Sequence, residues 1–296
     1  HQSGLKVTIS INISALHLQQ PHFVKNLELK LNNYPEIENQ YLELEILETS
    51  ALDDIRQVSE IMNSCHDLGV HFALDDFGTG YSSLTYLKRL PASTLKIDQT
   101  FIRDMMNDPD DLAIIEGILG LSYAFKRQPI AEGVETIEHG ILLLKLGCDL
   151  AQGYAIAKPM PVGEVMNWMG SWQCPGAWKN VKQVGRDEIS LIYAAVEQKA
   201  WVKALELYVQ DKAIAPPEGI VQCRFGKWLE QTGKQKYGQL SIFKKIEITH
   251  QQLHEIAHQV LRYKSQNNNN QLLDELTSLK HTSSELLILF DQLLES

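Results

Sequence analysis

The chain has 296 residues, 44% hydrophobic and 22% charged, a globular composition with room for about two domains that excludes disorder, collagen and a small disulfide scaffold. No apolar run approaches the ~18 residues needed to cross a bilayer, and no basic stretch followed by an apolar core opens the chain, so it reads as soluble and cytoplasmic. Residues 1–180 carry 13 Lys+Arg against 23 Asp+Glu and residues 181–296 carry 14 against 14, which makes the acidic first part a poor binder of duplex nucleic acid.

In chain order, short β-branched or apolar runs alternate with helical patterns. The runs are VTISINI from Val7, YLELEI from Tyr41, VHFALDDF from Val70, TLKID from Thr94, PIAEGV from Pro129 and QGYAIA from Gln152, six strands in all. Between them, Asp53 to Leu68, Asp110 to Phe125 and Thr136 to Leu146 repeat apolar residues at helical spacing. Alternating β and α predicts a parallel sheet with helices outside it. In a barrel of this class the active site is built at the strand ends, where Glu45, Asp75, Lys96, Glu132 and Gln152 fall. A closed (β/α)8 barrel has eight strands, so about two are expected before His1. Barrel residues are expected over 1–172, a linker over 173–186 around the Pro-Gly of WQCPGAWKNVK, and a helical domain over 187–296. There, Glu188 to Gln210, Phe225 to Gln231, Ser241 to Lys264 and Gln271 to Leu294 read as helices of a four-helix bundle, broken by Pro216-Pro217 and by Asn267 to Asn270. Cys65, Cys148, Cys174 and Cys223 form no C-x-x-C pair, which suits a reducing compartment.

The chemistry concentrates in Asp75-Asp76-Phe77-Gly78-Thr79-Gly80. Adjacent strand residues point to opposite faces, so both carboxylates reach one site only where the strand ends and turns, and Gly-Thr-Gly is expected to make that turn. Paired carboxylates suit hard divalent cations. Asn12 and Glu45 on earlier strands, and Glu132 and Glu135 later, add oxygen donors. So many acids on apolar strands would be prohibitive to bury without cations. Lys96 shares a strand face with Asp98, so the two are expected to point inward together; a buried lysine among carboxylates could stabilise an anionic phosphoryl transition state, and a salt bridge with Asp98 is compatible with that role. Glu43, beside the apparent sheet edge, is read as solvated.

These residues resemble the EAL-domain family of cyclic-di-GMP phosphodiesterases, through SINIS, LELEILETS, LDDFGTGYSSL, LKID, AEGVE and QGYAIAKPMP over residues 5 to about 170. The resemblance implies a TIM-type barrel that binds two Mg2+ or Mn2+ ions and hydrolyses cyclic-di-GMP to linear pGpG. By motif, Asn12, Glu45, Asp75, Asp76 and Glu132 are similar to the metal ligands. Lys96 resembles the lysine contacting the attacking water, and Glu132 the general base. Asp76 lies near the second ion, Glu135 and Gln152 are supporting polar groups, and Glu48 resembles the glutamate holding the loop after Asp76. The family's name-giving E-A-L glutamate has no counterpart here, Leu47 stands where threonine is usual, and Lys158 stands where arginine is common. Two other classes stay open: an inactive barrel that senses cyclic-di-GMP or contacts a partner, and a zinc-sensing scaffold with a relic barrel.

Further on, Cys223-Arg-Phe-Gly-Lys-Trp228 precedes a helix with His250, His254 and His258, four residues apart and therefore on one face. Residues 187 to 295 resemble the chemoreceptor zinc-binding domain, which implies zinc held by Cys223, His250 and His254. Gln198 stands where that family has its first histidine, and His258 is a substitute ligand. Trp201, Leu205, Phe225, Trp228 and Phe243 are assigned to the bundle core. A homodimer is the expected assembly.

Overall fold

The structure, a computed structural model, describes residues 6–51, 54–80, 84–217 and 224–294. The chain divides into two compact units, residues 1–104 with 111–183 and residues 105–110 with 184–296. Among the described residues no helix is long and apolar enough to cross a membrane.

The first unit is built on one parallel sheet of five strands in sequential order: β1 (Ile9–Asn12), β2 (Leu42–Leu47), β3 (His71–Phe77), β4 (Thr94–Ile97) and β5 (Gln128–Ala131). Each return to the sheet needs a crossover. Helices α1 (Ala15–Leu18) and α2 (Phe23–Asn32) lie between β1 and β2. Helices α3 (Glu48–Ala51) and α4 (Ile55–Asp67) follow β2, and α5 (Leu84–Arg89) follows β3. Helices α6 (Gln99–Asp104) and α7 (Pro109–Ala124) follow β4, and α8 (Ile137–Leu146) and α9 (Val162–Ser171) come after β5. This is the TIM-type α/β architecture expected from the alternation. The central strands β2, β3 and β4 are mostly buried, as expected for a sheet covered on both faces. Phe72, Leu74, Leu95 and Ile97 form its helix-facing core with Val58, Met62, Ile102 and Leu112. By contrast β1 is an edge, with Ile9 61% and Ile11 50% exposed.

QGYAIA is not a sixth strand. It contributes a single parallel bridge, Ala131 to Ala151, and then turns, with the amides of Ile156 and Ala157 both donating to the Gly153 carbonyl. Gly153 has φ +152°, and a Cβ there would stand 2.3 Å from the Val134 backbone. This close approach requires glycine and ends the extended run.

The second unit is all-helical. Long helices α10 (Arg186–Val209), α13 (Ser241–Ser265) and α14 (Asn269–Leu294) are joined by a broken fourth element: α11 (Arg224–Trp228), a π-helical turn (Leu229–Gly233) and α12 (Lys234–Tyr237). Apolar residues at helical spacing on α13 and α14 make the core, among them Phe243, Leu253, Leu279, Leu286 and Phe290, with Leu205 from α10 and Phe225 from α11. Trp201 and Trp228 are partly buried against that core.

Candidate metal and phosphodiester site

The site begins with a local departure from strand geometry. Asp75 and Asp76 both belong to β3, and the pairing of β3 with β4 shifts between Leu74 and Phe77. Asp76 has φ +53°, the left-handed region that non-glycine residues seldom occupy and that clusters at functional positions. This bulge, rather than the expected Gly-Thr-Gly turn, lets two successive carboxylates serve one face. The turn that follows is held from below. One Glu48 carboxylate oxygen accepts from the amides of Gly78 at 2.9 Å and Gly80 at 3.3 Å. Gly78 has φ +104°, and a Cβ there would meet Ile118 and Phe101 at 2.9 Å. Tyr81, Ser82 and Ser83 of this loop lie outside the described residues.

Lys96 is the centre of the site. Its side chain is only 6% exposed, and Nζ meets Glu45 Oε2 at 2.8 Å, Asp75 Oδ1 at 2.9 Å and Glu132 Oε1 at 2.6 Å. The three carboxylates come from β2, from β3 and from the residue after β5, so one ammonium ties together three acids from strands on both sides of its own. Burial works to lower the Lys96 pKa, but the hydrogen bonds to Asp75, Glu132 and Glu45 outweigh it and raise it above the usual lysine value. Lys96 therefore does not pair with Asp98 as the shared strand face suggested. Asp98 instead accepts from the Thr100 amide at 2.8 Å and from its hydroxyl.

Two acids of the cluster hold protons more tightly than usual. Asp76 is raised by burial, by its hydrogen bond with Asp98 and by the charge of Asp75. Glu132 is raised by burial, which with the charges of Asp75 and Glu45 outweighs the opposing effect of Lys96. Gln152, brought alongside by the hydrogen bond its backbone N–H donates to the Ala131 carbonyl, donates from Nε2 to Glu132 Oε1 at 2.5 Å. Asn12 ends β1 directly opposite Glu45 in the register and is exposed. Glu135 is exposed and does not enter the carboxylate group.

Ligand oxygens of Asp75, Asp76 and Glu132 lie within 4.8 Å of one another, the one group of three or more metal-type side chains among the described residues. Hard oxygen donors of this kind match Mg2+ or Mn2+, and like-charged carboxylates so close are stabilised by a cation. The donor set fits a divalent metal.

Sequence reasoning misplaced Glu43. It is 7% exposed, and its two oxygens accept from the Ser10 hydroxyl at 2.8 Å and the Thr94 hydroxyl at 2.7 Å. The signal was available, because a period of two places Glu43 on the same face as Glu45.

In the helical unit, His250 Nε2 and His254 Nε2 are 3.1 Å apart, and their rings pack against Phe225 and Trp201 respectively. Burial, with help from His254, pushes the His250 pKa down to about 4. Cys223 lies outside the described residues. His258 is exposed and joins no group of three metal-type side chains among the described residues. Gln198, on α10, has a buried Nε2 without a hydrogen-bond partner among the described residues. Two imidazole nitrogens at this spacing suit a tetrahedral zinc, whose ligands at about 2.0–2.1 Å stand roughly 3.3 Å from each other.

Residues 1–159 match the EAL domain, and residues 198–261 match the chemoreceptor zinc-binding domain. The chain belongs to the EAL-domain family. It is 40% identical over 158 residues to the bifunctional diguanylate cyclase/cyclic di-GMP phosphodiesterase MucR of Pseudomonas aeruginosa, a match covering 53% of this chain and 23% of that protein. It is 37% identical over 161 residues to the signaling protein YkoW of Bacillus subtilis, covering 54% and 20%. Among solved structures, the PaMucR phosphodiesterase in complex with c-di-GMP aligns with TM-score 0.52 at 40% identity, covering 53% of this chain and 64% of that one. The EAL domain of Mycobacterium smegmatis DcpA aligns with TM-score 0.53 at 36% identity, covering 57% and 75%. The chain thus spans about a fifth to a quarter of the length of these curated relatives.

Proposed function

We propose that the EAL unit binds cyclic-di-GMP and hydrolyses one of its two phosphodiester bonds to give linear pGpG, with Mg2+ or Mn2+ held by Asp75, Asp76, Glu132, Glu45 and Asn12. The observation that carries this reading is the junction at Lys96, where one buried ammonium organises three strand-end carboxylates beside a fourth, Asp76. Two such ions, when bound, supply Lewis-acid polarisation of the phosphoryl oxygens and a more acidic water. Lys96 stays protonated across the physiological range, and because its three N–H groups meet Glu45, Asp75 and Glu132, one of them must turn from its carboxylate to reach the attacking water or the anionic phosphoryl group. Glu132, held by Lys96 and Gln152 and made more basic by burial, takes the proton as the water oxygen bonds to phosphorus. The P–O3′ bond breaks, and the leaving 3′ oxygen takes a proton from solvent water to become a hydroxyl. Glu48 fixes the loop after Asp76, and Gln152 fixes the direction of the Glu132 carboxylate. Four acids around one lysine favour an enzyme over a nucleotide receptor, which needs no such donor set.

The helical unit in this reading is a regulatory domain whose His250 and His254 chelate zinc, with Cys223 as a further ligand. The test of the enzyme is incubation of the full chain with cyclic-di-GMP and Mn2+, following pGpG by chromatography. Turnover that is lost in Asp75→Asn is the expected result. Tight cyclic-di-GMP binding without turnover, in the wild type as in Asp75→Asn, would overturn it in favour of a receptor.

A further inference from the structure

One layer below the metal site lies a second polar constellation that the proposed chemistry does not use. Glu43, on β2, is buried, and among the described residues its oxygens are met by neutral hydroxyls. Its Oε1 accepts from Ser10 on β1 and its Oε2 from Thr94 on β4, at 2.8 and 2.7 Å. The reach to β4 crosses β3 diagonally, since Glu43 stands opposite His71 in the register and Thr94 opposite Ala73, a fully buried residue that presents only a methyl group. Each of the three residues stands two positions before a site residue on the same strand face: Ser10 before Asn12, Glu43 before Glu45, Thr94 before Lys96. That separation is about 6.6 Å along each strand. The carboxylate therefore braces three strands directly beneath three donors of the site, two of which, β2 and β4, are not neighbours in the sheet.

We infer that Ser10, Glu43 and Thr94 form a positioning triad that sets the spacing of Asn12, Glu45 and Lys96, and through it the affinity of the site for its divalent metal. The inference rests on the metal reading above. Small hard cations tolerate little error in donor placement, and partners that orient first ligands matter about 10–100-fold in metal affinity. Removing the Thr94 hydroxyl leaves one oxygen of a buried carboxylate without its donor, and Glu43 must shift to find another.

The experiment is direct Mn2+ binding to the full chain, read by the loss of the free-ion electron paramagnetic resonance signal, so that turnover is not needed. Thr94→Val is expected to weaken Mn2+ binding about tenfold, and Thr94→Ser to restore it to within about threefold. Ser122→Ala removes an equally buried hydroxyl, which donates to the Ile118 carbonyl inside α7. It controls for loss of stability alone and is expected to bind Mn2+ as the wild type does. Wild-type affinity in Thr94→Val, failure of Thr94→Ser to rescue, or equal weakening in Ser122→Ala would each overturn the triad while leaving the metal reading intact. No Mn2+ binding by the wild type would overturn the metal reading and the triad with it.

Discussion

Replacing Lys96 by Met removes one charge and keeps most of the side-chain volume, and the structure sets the scale of the result. Nζ has carboxylate oxygens at 2.8, 2.9 and 2.6 Å, and the side chains involved are 6 to 13% exposed, so solvent screening is weak. A unit-charge pair near 4 Å is worth about 4 kcal/mol at an effective dielectric of 20. The three attractions do not add, because the carboxylates repel one another. Taking away one partner of a buried ion pair costs about 3–5 kcal/mol, and that is the expected loss for Lys96→Met at pH 7.5 with a chelator present. The loss is capped because one of the three acids takes up a proton instead of staying charged. Glu132 already sits above the ordinary carboxylate pKa through burial, and without Lys96 it rises further. A carboxyl with a raised folded pKa makes stability fall as pH rises through the window between its unfolded and folded values. The defect in Lys96→Met should therefore shrink as pH falls from 7.5 to 5. Adding Mn2+ at pH 7.5 should recover part of it, since the ion supplies the missing positive charge.

The assay is urea unfolding read by hydrogen exchange of peptides containing β3 and β4, which separates this unit from the helical one; a single transition is not assumed for a two-unit chain. A loss under about 1 kcal/mol at pH 7.5, or the same loss at both pH values, would refute the view that Lys96 neutralises a buried acid cluster.

Asp76→Gly relieves a left-handed residue at φ +53° and removes a carboxylate crowded by Asp75 and Asp98. Metal-free stability should rise by about 1 kcal/mol in the same exchange experiment while Mn2+ affinity drops by more than tenfold; unchanged affinity would remove Asp76 from the ligand set. In the helical unit, His254→Ala should abolish bound zinc and the rise in melting temperature that zinc gives, whereas His258→Ala, at an exposed position, should keep both. Zinc analysis by atomic absorption with thermal melts decides, and retention of zinc by His254→Ala would refute the chelating pair.

Much of this arrangement was legible from residue order alone, and the failures share a physical cause. YLELEI and VHFAL are β-branched or apolar runs bounded by loops, and they became β2 and β3; the repeating pattern of Leu272, Leu276, Leu279, Leu286 and Leu293 became the buried face of α14. What a one-dimensional pattern does not carry is cross-strand register. Lys96 and Asp98 share a strand face, yet the ammonium goes to Glu45, Asp75 and Glu132, which the register of three other strands brings within 3 Å. Glu43 was read as solvated because its strand lies beside the edge, but the hydroxyl that buries it comes from β4, 51 residues away. The bulge at Asp76 is likewise a mismatch between two strands and has no signature in either one, and QGYAIA stopped being a strand because Val134 presses against Gly153.

The site is therefore a place where the fold works against its own stability. Asp76 occupies a strained backbone region, Asp76 and Glu132 hold pKa values raised by burial and like charge, and a single lysine is shared among three acids. Natural folds concentrate such conflicts where binding relieves them. A divalent cation among Asp75, Asp76 and Glu132 would offset the repulsion between the carboxylates and give the left-handed turn at Asp76 a purpose. The same argument explains the contrast with the layer beneath. There Glu43 is satisfied by neutral hydroxyls that add no charge, leaving the layer around Lys96 as the one concentration of crowded acids at the strand ends among the described residues.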